Sequence, residues 1–207
     1  MLHDDSGHMG LSSGLSAEAK VELLKIARRG LEAVVKREKL KLDTPVLPEL
    51  QRESGAFVTL REKGELRGCI GYIEPRLPMY KAVAETASKA ATSDPRFEPV
   101  TEPELEKIDL EVSILSALNK VTNVEEIVVG RHGLVIERGY YRGLLLPQVA
   151  GENNWDRNEF LRYTCFKAGL DDDSWRDPDT KIYSFTAEVF GESEFGRISE
   201  ENIAERA

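Results

Sequence analysis

From residue 17 to residue 37 the apolar positions Val21, Leu24, Ala27, Leu31, Val34 and Val35 recur at helical spacing behind Ser16, whose hydroxyl suits an N-cap. The pattern predicts an amphipathic helix. The periodicity then switches to that of strands. Phe57-Val58-Thr59-Leu60 is followed by Lys63-Gly64, a two-residue turn signal, and by 66–72, which predicts a β-hairpin. Pro75 and Pro78 flank a turn, and 79–92 returns to helical spacing with Ala82, Val83, Ala87, Ala90 and Ala91 inviting close packing. Thr101-Glu102-Pro103-Glu104 resembles a capping box opening a short helix, and residues 109–116 alternate as a strand with Leu110, Val112 and Ile114 on the apolar side.

The second half of the chain is richer in strand patterns. Residues 127–129, 133–137 and 143–149 predict a β block, with turn glycines at Gly139 and Gly143, and Pro147 places the last strand at an edge or at an exit from its sheet. Asp156 with Glu159 three residues on marks a helix start, with Trp155 placed to staple against Phe160; Gly169 marks the end. Residues 182–190, with Tyr183, Phe185, Ala187 and Val189 on one side, predict one strand long enough to be central. Residues 1–14 lack apolar periodicity and predict a disordered leader, and the charged residues 191–207 predict a mobile tail.

Composition narrows the classes of function. With 207 residues, 41% of them hydrophobic, the chain can bury a substantial core as one domain or two intimate lobes. The two cysteines, Cys69 and Cys165, fit neither a zinc spacing nor a disulfide framework, which predicts a reducing cytoplasm. No apolar run of about 18 residues occurs, so membrane insertion is not expected. A net charge of −9 argues against broad attraction to nucleic acid. His132 has no second histidine or cysteine close by, and Asp171-Asp172-Asp173 lacks the glycine and terminal glutamate of a calcium loop, so no metal site is expected.

The candidate chemistry centres on Leu66-Arg67-Gly68-Cys69-Ile70-Gly71. Strict alternation puts Leu66, Gly68, Ile70 and Tyr72 on a core face and Arg67, Cys69 and Gly71 on the other. At roughly 7 Å, Arg67 would favour a Cys69 thiolate by about 0.6–2.4 kcal/mol, lowering its pKa by ~0.4–1.7 units, whereas apolar burial would raise it. The competing reading is a small buried cysteine beside glycines needed for close strand packing. Asp94 and Arg96 lie in a loop stiffened by Pro95 and Pro99, placed either to face a ligand or to close a turn on each other. Glu111 on the polar side of its strand is a candidate acid or base, and Gln148 beside Pro147 can offer an amide to a ligand. Cys165 reads as a packed core thiol.

Leu66-Arg67-Gly68-Cys69-Ile70-Gly71, Asp94-Pro95-Arg96-Phe97, Leu110-Glu111-Val112-Ser113, Gly143-Leu144-Leu145-Leu146-Pro147-Gln148-Val149 and Thr164-Cys165-Phe166-Lys167-Ala168-Gly169-Leu170 stand in one order. In this the chain resembles the AMMECR domain family of archaea, bacteria and eukaryotes from about residue 15 to residue 190. The resemblance implies an α+β fold of mostly antiparallel sheets with flanking helices, in two unequal lobes with the hallmark motif near a groove between them. It implies no established reaction and no cofactor, but an association with Memo-type and radical-SAM proteins in a modification pathway. Two functions follow as expectations. One is a cysteine-dependent enzyme or enzyme component, with Cys69 as nucleophile or carrier, Glu111 as acid or base, and Arg67, Gly68, Gly71, Asp94, Arg96 and Gln148 holding a small anionic ligand. The other is a non-catalytic ligand-binding module or adaptor.

Overall fold

The computed structural model describes residues 14–196; the expected leader, apart from Gly14, and the tail beyond 196 lie outside the described residues. The first helix, α1 (Ala17–Val35), starts where Ser16 Oγ accepts the Ala19 N–H at 3.1 Å, and it buries Leu23, Leu24, Ile26, Ala27 and Leu31. Strands β1 (Ala56–Glu62) and β2 (Glu65–Tyr72) form the predicted hairpin. At its turn Lys63 and Gly64 have φ of 54° and 85°, the left-handed pair that a tight hairpin of matching twist requires. Helix α2 (Met79–Thr92) has the predicted bounds and packs on both α1 and the hairpin.

A one-turn helix, α3 (Glu102–Leu105), precedes β3 (Ile108–Leu115). The short β4 (Asn119–Lys120), then β5 (Gly133–Arg138) and β6 (Tyr141–Leu145), lead into α4 (Pro147–Glu152) and α5 (Arg157–Lys167). The chain closes with β7 (Lys181–Phe185), β8 (Ala187–Gly191) and α6 (Glu192–Phe195).

Two antiparallel four-stranded sheets result, ordered β2-β1-β3-β8 and β4-β7-β5-β6, so the fold is mixed α+β. The first sheet turns Val58, Leu60, Leu110 and Val112 toward α1 and α2, and these form the largest apolar cluster. The second builds its own core from Leu134, Ile136 and Ile182 under Phe160, Leu161 and Cys165 of α5. A third cluster joins the two: Leu115 and Phe57 of the first sheet meet Val135, Phe185 and Leu144 of the second.

Four expectations are corrected. Residues 182–190 are not one strand: β7 belongs to the second sheet and β8 to the first, with Thr186 alone between them. There Ser116 ties the crossing, its N–H donating to Thr186 O and its Oγ accepting the Thr186 N–H, each at 2.9 Å. Residues 127–129 form no strand and instead follow a 3-10 turn at Val124–Glu126. The strand expected over 143–149 stops at Leu145: Pro147 lies at the sheet edge as expected, but it opens α4, where its missing N–H costs nothing. Finally, the segment after Gly191 begins as α6, whose Glu192 is buried because Arg28 of α1 awaits it.

Candidate functional site

The register of the hairpin decides what surrounds Cys69. Near the turn Glu62 pairs with Glu65 and Arg61 with Leu66, but beyond the turn Leu60 pairs with Gly68 and Thr59 with Cys69, so Arg67 is an extra residue in a β-bulge. Had the register next to the turn run on with Arg67 paired to Leu60, Cys69 would oppose Val58 and share its inward face. The bulge instead sets Cys69 in one row with Thr59 and Glu111, on the face of the sheet opposite α1 and α2.

The bulge also overturns the expected pairing of Arg67 with Cys69. The Arg67 guanidinium donates from Nε to Glu104 Oε1 at 2.8 Å and from an Nη to the Glu98 carbonyl at 2.9 Å. Glu104 also accepts the N–H and hydroxyl of Thr101, each at 2.7 Å, so the α3 capping carboxylate doubles as the partner of Arg67. Those bonds hold the Glu104 carboxyl down to about 2. Leu66, expected in the core, stands 37% exposed on the far side of the bulge.

Both glycines of the motif are explained by packing. A Cβ on Gly68 would lie 2.3 Å from the Ala90 carbonyl oxygen of α2, and one on Gly71 would lie 2.1 Å from the Phe57 ring. They allow a helix backbone and an aromatic ring to touch the strand, and no ligand role follows from their geometry.

Asp94 is the anchor of the site. Its carboxylate, 2% exposed, accepts the Cys69 N–H at 2.8 Å, the Arg96 N–H at 3.1 Å, and the Arg96 guanidinium at 2.9 and 2.7 Å. Because β2 is an edge strand, the Cys69 N–H has no strand partner on that side, and Asp94 satisfies it. The Arg96 guanidinium beside it, followed by the two N–H donors, holds the Asp94 carboxyl far below the carboxylate range. Arg96 itself remains half-exposed over the Phe97 ring. The expected Asp94–Arg96 pair is present, and it clamps the backbone at Cys69.

The thiol is partly buried and accepts a hydrogen bond from the Thr59 hydroxyl at 3.3 Å. Burial raises its pKa above the ordinary value; the Thr59 bond and the Arg96 charge oppose that rise, while Asp94 and Glu111 add to it. At neutral pH Cys69 is therefore a thiol, contrary to the expected activation by Arg67. The expected acid or base, Glu111, lies two strands away, about 10 Å along the sheet, with Thr59 between, and is 3.8 Å from Arg61. Gln148 is not brought to Cys69: it sits on α4 against β8, on the opposite edge of the first sheet. Cys165 is sealed in the second core, and burial pushes its thiol up to about 11. Thr59 faces Cys69 only because of the bulge, which no local residue pattern announces.

Both clamps carry a pH dependence. Carboxyls held low when folded stabilise the protein above their unfolded values near 4, and this stabilisation is lost as pH falls through that range toward about 2 for Glu104. Urea titrations at pH 7 and pH 3 should show Glu104→Gln losing about 1 kcal/mol less than the parent on acidification, after allowance for solvent screening. Equal losses in both proteins would remove Glu104 from that role.

The fold and site define a two-sheet α+β protein with a clamped, partly buried cysteine at a bulged sheet edge. The chain belongs to the AMMECR1 family, whose model matches residues 24–190. A protein of Methanothermobacter thermautotrophicus is 47% identical over 186 residues, covering 86% of this chain and 96% of that one. Protein MK0488 of Methanopyrus kandleri is 44% identical over 201 residues, covering 92% and 97%. The crystal structure of the uncharacterized protein PH0010 from Pyrococcus horikoshii superposes with a TM-score of 0.80 at 40% identity, covering 86% of this chain and 93% of that one. Among the described residues no helix is long and apolar enough to cross a membrane.

Proposed function

We propose that this protein is a ligand-binding component of a cytoplasmic modification system. Its recognition face is the row Cys69, Thr59 and Glu111, flanked by Arg96 and Arg61. The observation that carries this reading is the geometry at the thiol, which accepts the Thr59 hydroxyl while its nearest expected activator, Arg67, is committed to Glu104; burial, which raises the thiol's pKa, acts in the same direction. A protonated thiol offers a soft contact and a weak donor, while the half-exposed Arg96 supplies a cation for a small anionic ligand. The chemistry itself then belongs to partners, and the family resemblance supplies candidates in Memo-type and radical-SAM proteins. Free Cys69 and Cys165 agree with a reducing compartment.

The Arg96 charge on the thiol favours one second reading, a cysteine-dependent enzyme in which Arg96 takes the role expected of Arg67 and Glu111 serves as acid or base. Iodoacetamide labelling of Cys69 against pH separates the two. The binding reading expects a midpoint above pH 9, and Thr59→Val should slow labelling at pH 8 by about two- to fivefold through loss of one hydrogen bond to the thiolate. A midpoint below about 8 would establish the enzyme reading instead. Arg96→Gln should also lower the ratio of iodoacetate to iodoacetamide rates, since only the former probe is anionic.

A further inference from the structure

The chain passes from the second sheet to the first through a single residue, Thr186, and a cavity of about 420 Å³ opens beside that crossing. Its walls include Thr186, Ala187 and Val189 from the first sheet's side and Arg131, Pro147 and Gln148 from the second's. It stands apart from the cysteine site. Val189 and Cys69 lie on opposite edges of the first sheet, three strand spacings and two residues apart, which is about 16 Å.

Three features of this cavity call for an occupant. Gln148 Oε1 is buried without a hydrogen-bond partner, a state that native proteins rarely leave uncompensated. The amide turns about a broad terminal torsion, so a donor placed in the cavity can draw that oxygen out of its unpaired position. Arg131 is exposed and forms no ion pair among the described residues. Val189 is 41% exposed, an apolar side chain in a concave setting.

We propose that this cavity binds a small carboxylic acid bearing an amide N–H, the chemistry of an N-acylated aliphatic amino acid. Gln148 Oε1 accepts the N–H, Arg131 pairs with the carboxylate, and Pro147, Ala187 and Val189 receive the aliphatic chain. The volume lies within the range of small-molecule sites. The assignment does not depend on any role for Cys69.

The test uses the full chain, uniformly labelled with nitrogen-15, titrated with N-acetyl-leucine and followed by amide shifts. Saturable shifts at Gly130, Ala187 and Val189, with those of Cys69 and Thr59 unmoved, support the site. N-acetyl-N-methyl-leucine, which lacks the N–H, and N-acetyl-leucinamide, which lacks the carboxylate, should each bind at least tenfold more weakly. Gln148→Leu should lose binding by a similar factor while melting no lower than the parent, because it removes an unpartnered buried oxygen. If Gln148→Leu fails to fold, Arg131→Gln, at an exposed position, carries the same tenfold expectation. A pentapeptide ending in leucine that binds as well as the free acid assigns the site to a chain terminus, and weaker binding assigns it to the free acid; both support the chemistry. No saturable shift up to 10 mM probe, or equal binding of the N-methylated compound, overturns the proposal.

Discussion

Glu192→Ala should destabilise the protein by about 3–5 kcal/mol, because it leaves the Arg28 guanidinium buried without its counter-charge. The two side chains are 5% and 1% exposed, and Arg28 donates to both Glu192 oxygens as well as to the Ile108 carbonyl at 2.8 Å and the Leu105 carbonyl at 3.3 Å. Glu192 in turn accepts the Leu110 N–H at 2.9 Å. One carboxylate therefore fastens α1, β3 and the last helix of the described chain together. For a domain of this length the loss corresponds to a melting temperature lower by roughly 6–20 °C. The double variant Arg28→Met with Glu192→Leu should recover most of that loss, since replacing both charges by apolar side chains removes the desolvation penalty along with the attraction. Calorimetry of the three variants decides the matter: a single substitution costing under about 1 kcal/mol would mean that water reaches the pair.

Gly68→Ala should cost about 1–3 kcal/mol through overpacking alone. The added methyl would lie 2.3 Å from a main-chain oxygen of α2, and a helix backbone cannot swing aside as a flexible side chain can. The strand must move away from the helix, and Cys69 moves with it. Gly151→Ala is the matched control, for nothing lies within 4 Å of its added Cβ and its helical position favours alanine. Urea unfolding should therefore show a loss in the first variant and none, or a slight gain, in the second. A Gly68→Ala protein as stable as the parent would show that α2 does not press on β2 as closely as the geometry states.

What could be read from the sequence was local. The turn at Lys63-Gly64, the bounds of α2 and the caps at Ser16, Thr101 and Asp156 all follow from short-range rules about φ, periodicity and orphan N–H groups. The site is less legible in the sequence because its geometry depends on partners distant in the chain. Asp94 and Arg96 were recognisable as a charged pair on a stiff loop, but their grip on the Cys69 N–H joins residues 25 apart. Strict alternation sets Arg67 beside Cys69, but a bulge breaks the alternation and the partner of Arg67 lies 37 residues away. Thr186 offered no glycine or proline to mark the point where an apparently continuous strand changes sheets.

That crossing sets how the two sheets are threaded on one chain. β3 and β8 lie side by side, with Leu115 opposite Ala187, so the chain leaves the first sheet and re-enters it at neighbouring points. Everything between is topologically a graft spliced into what would otherwise be a simple hairpin. Its length can change without rethreading the first sheet, because both of its ends meet at neighbouring positions far from the edge that carries the thiol.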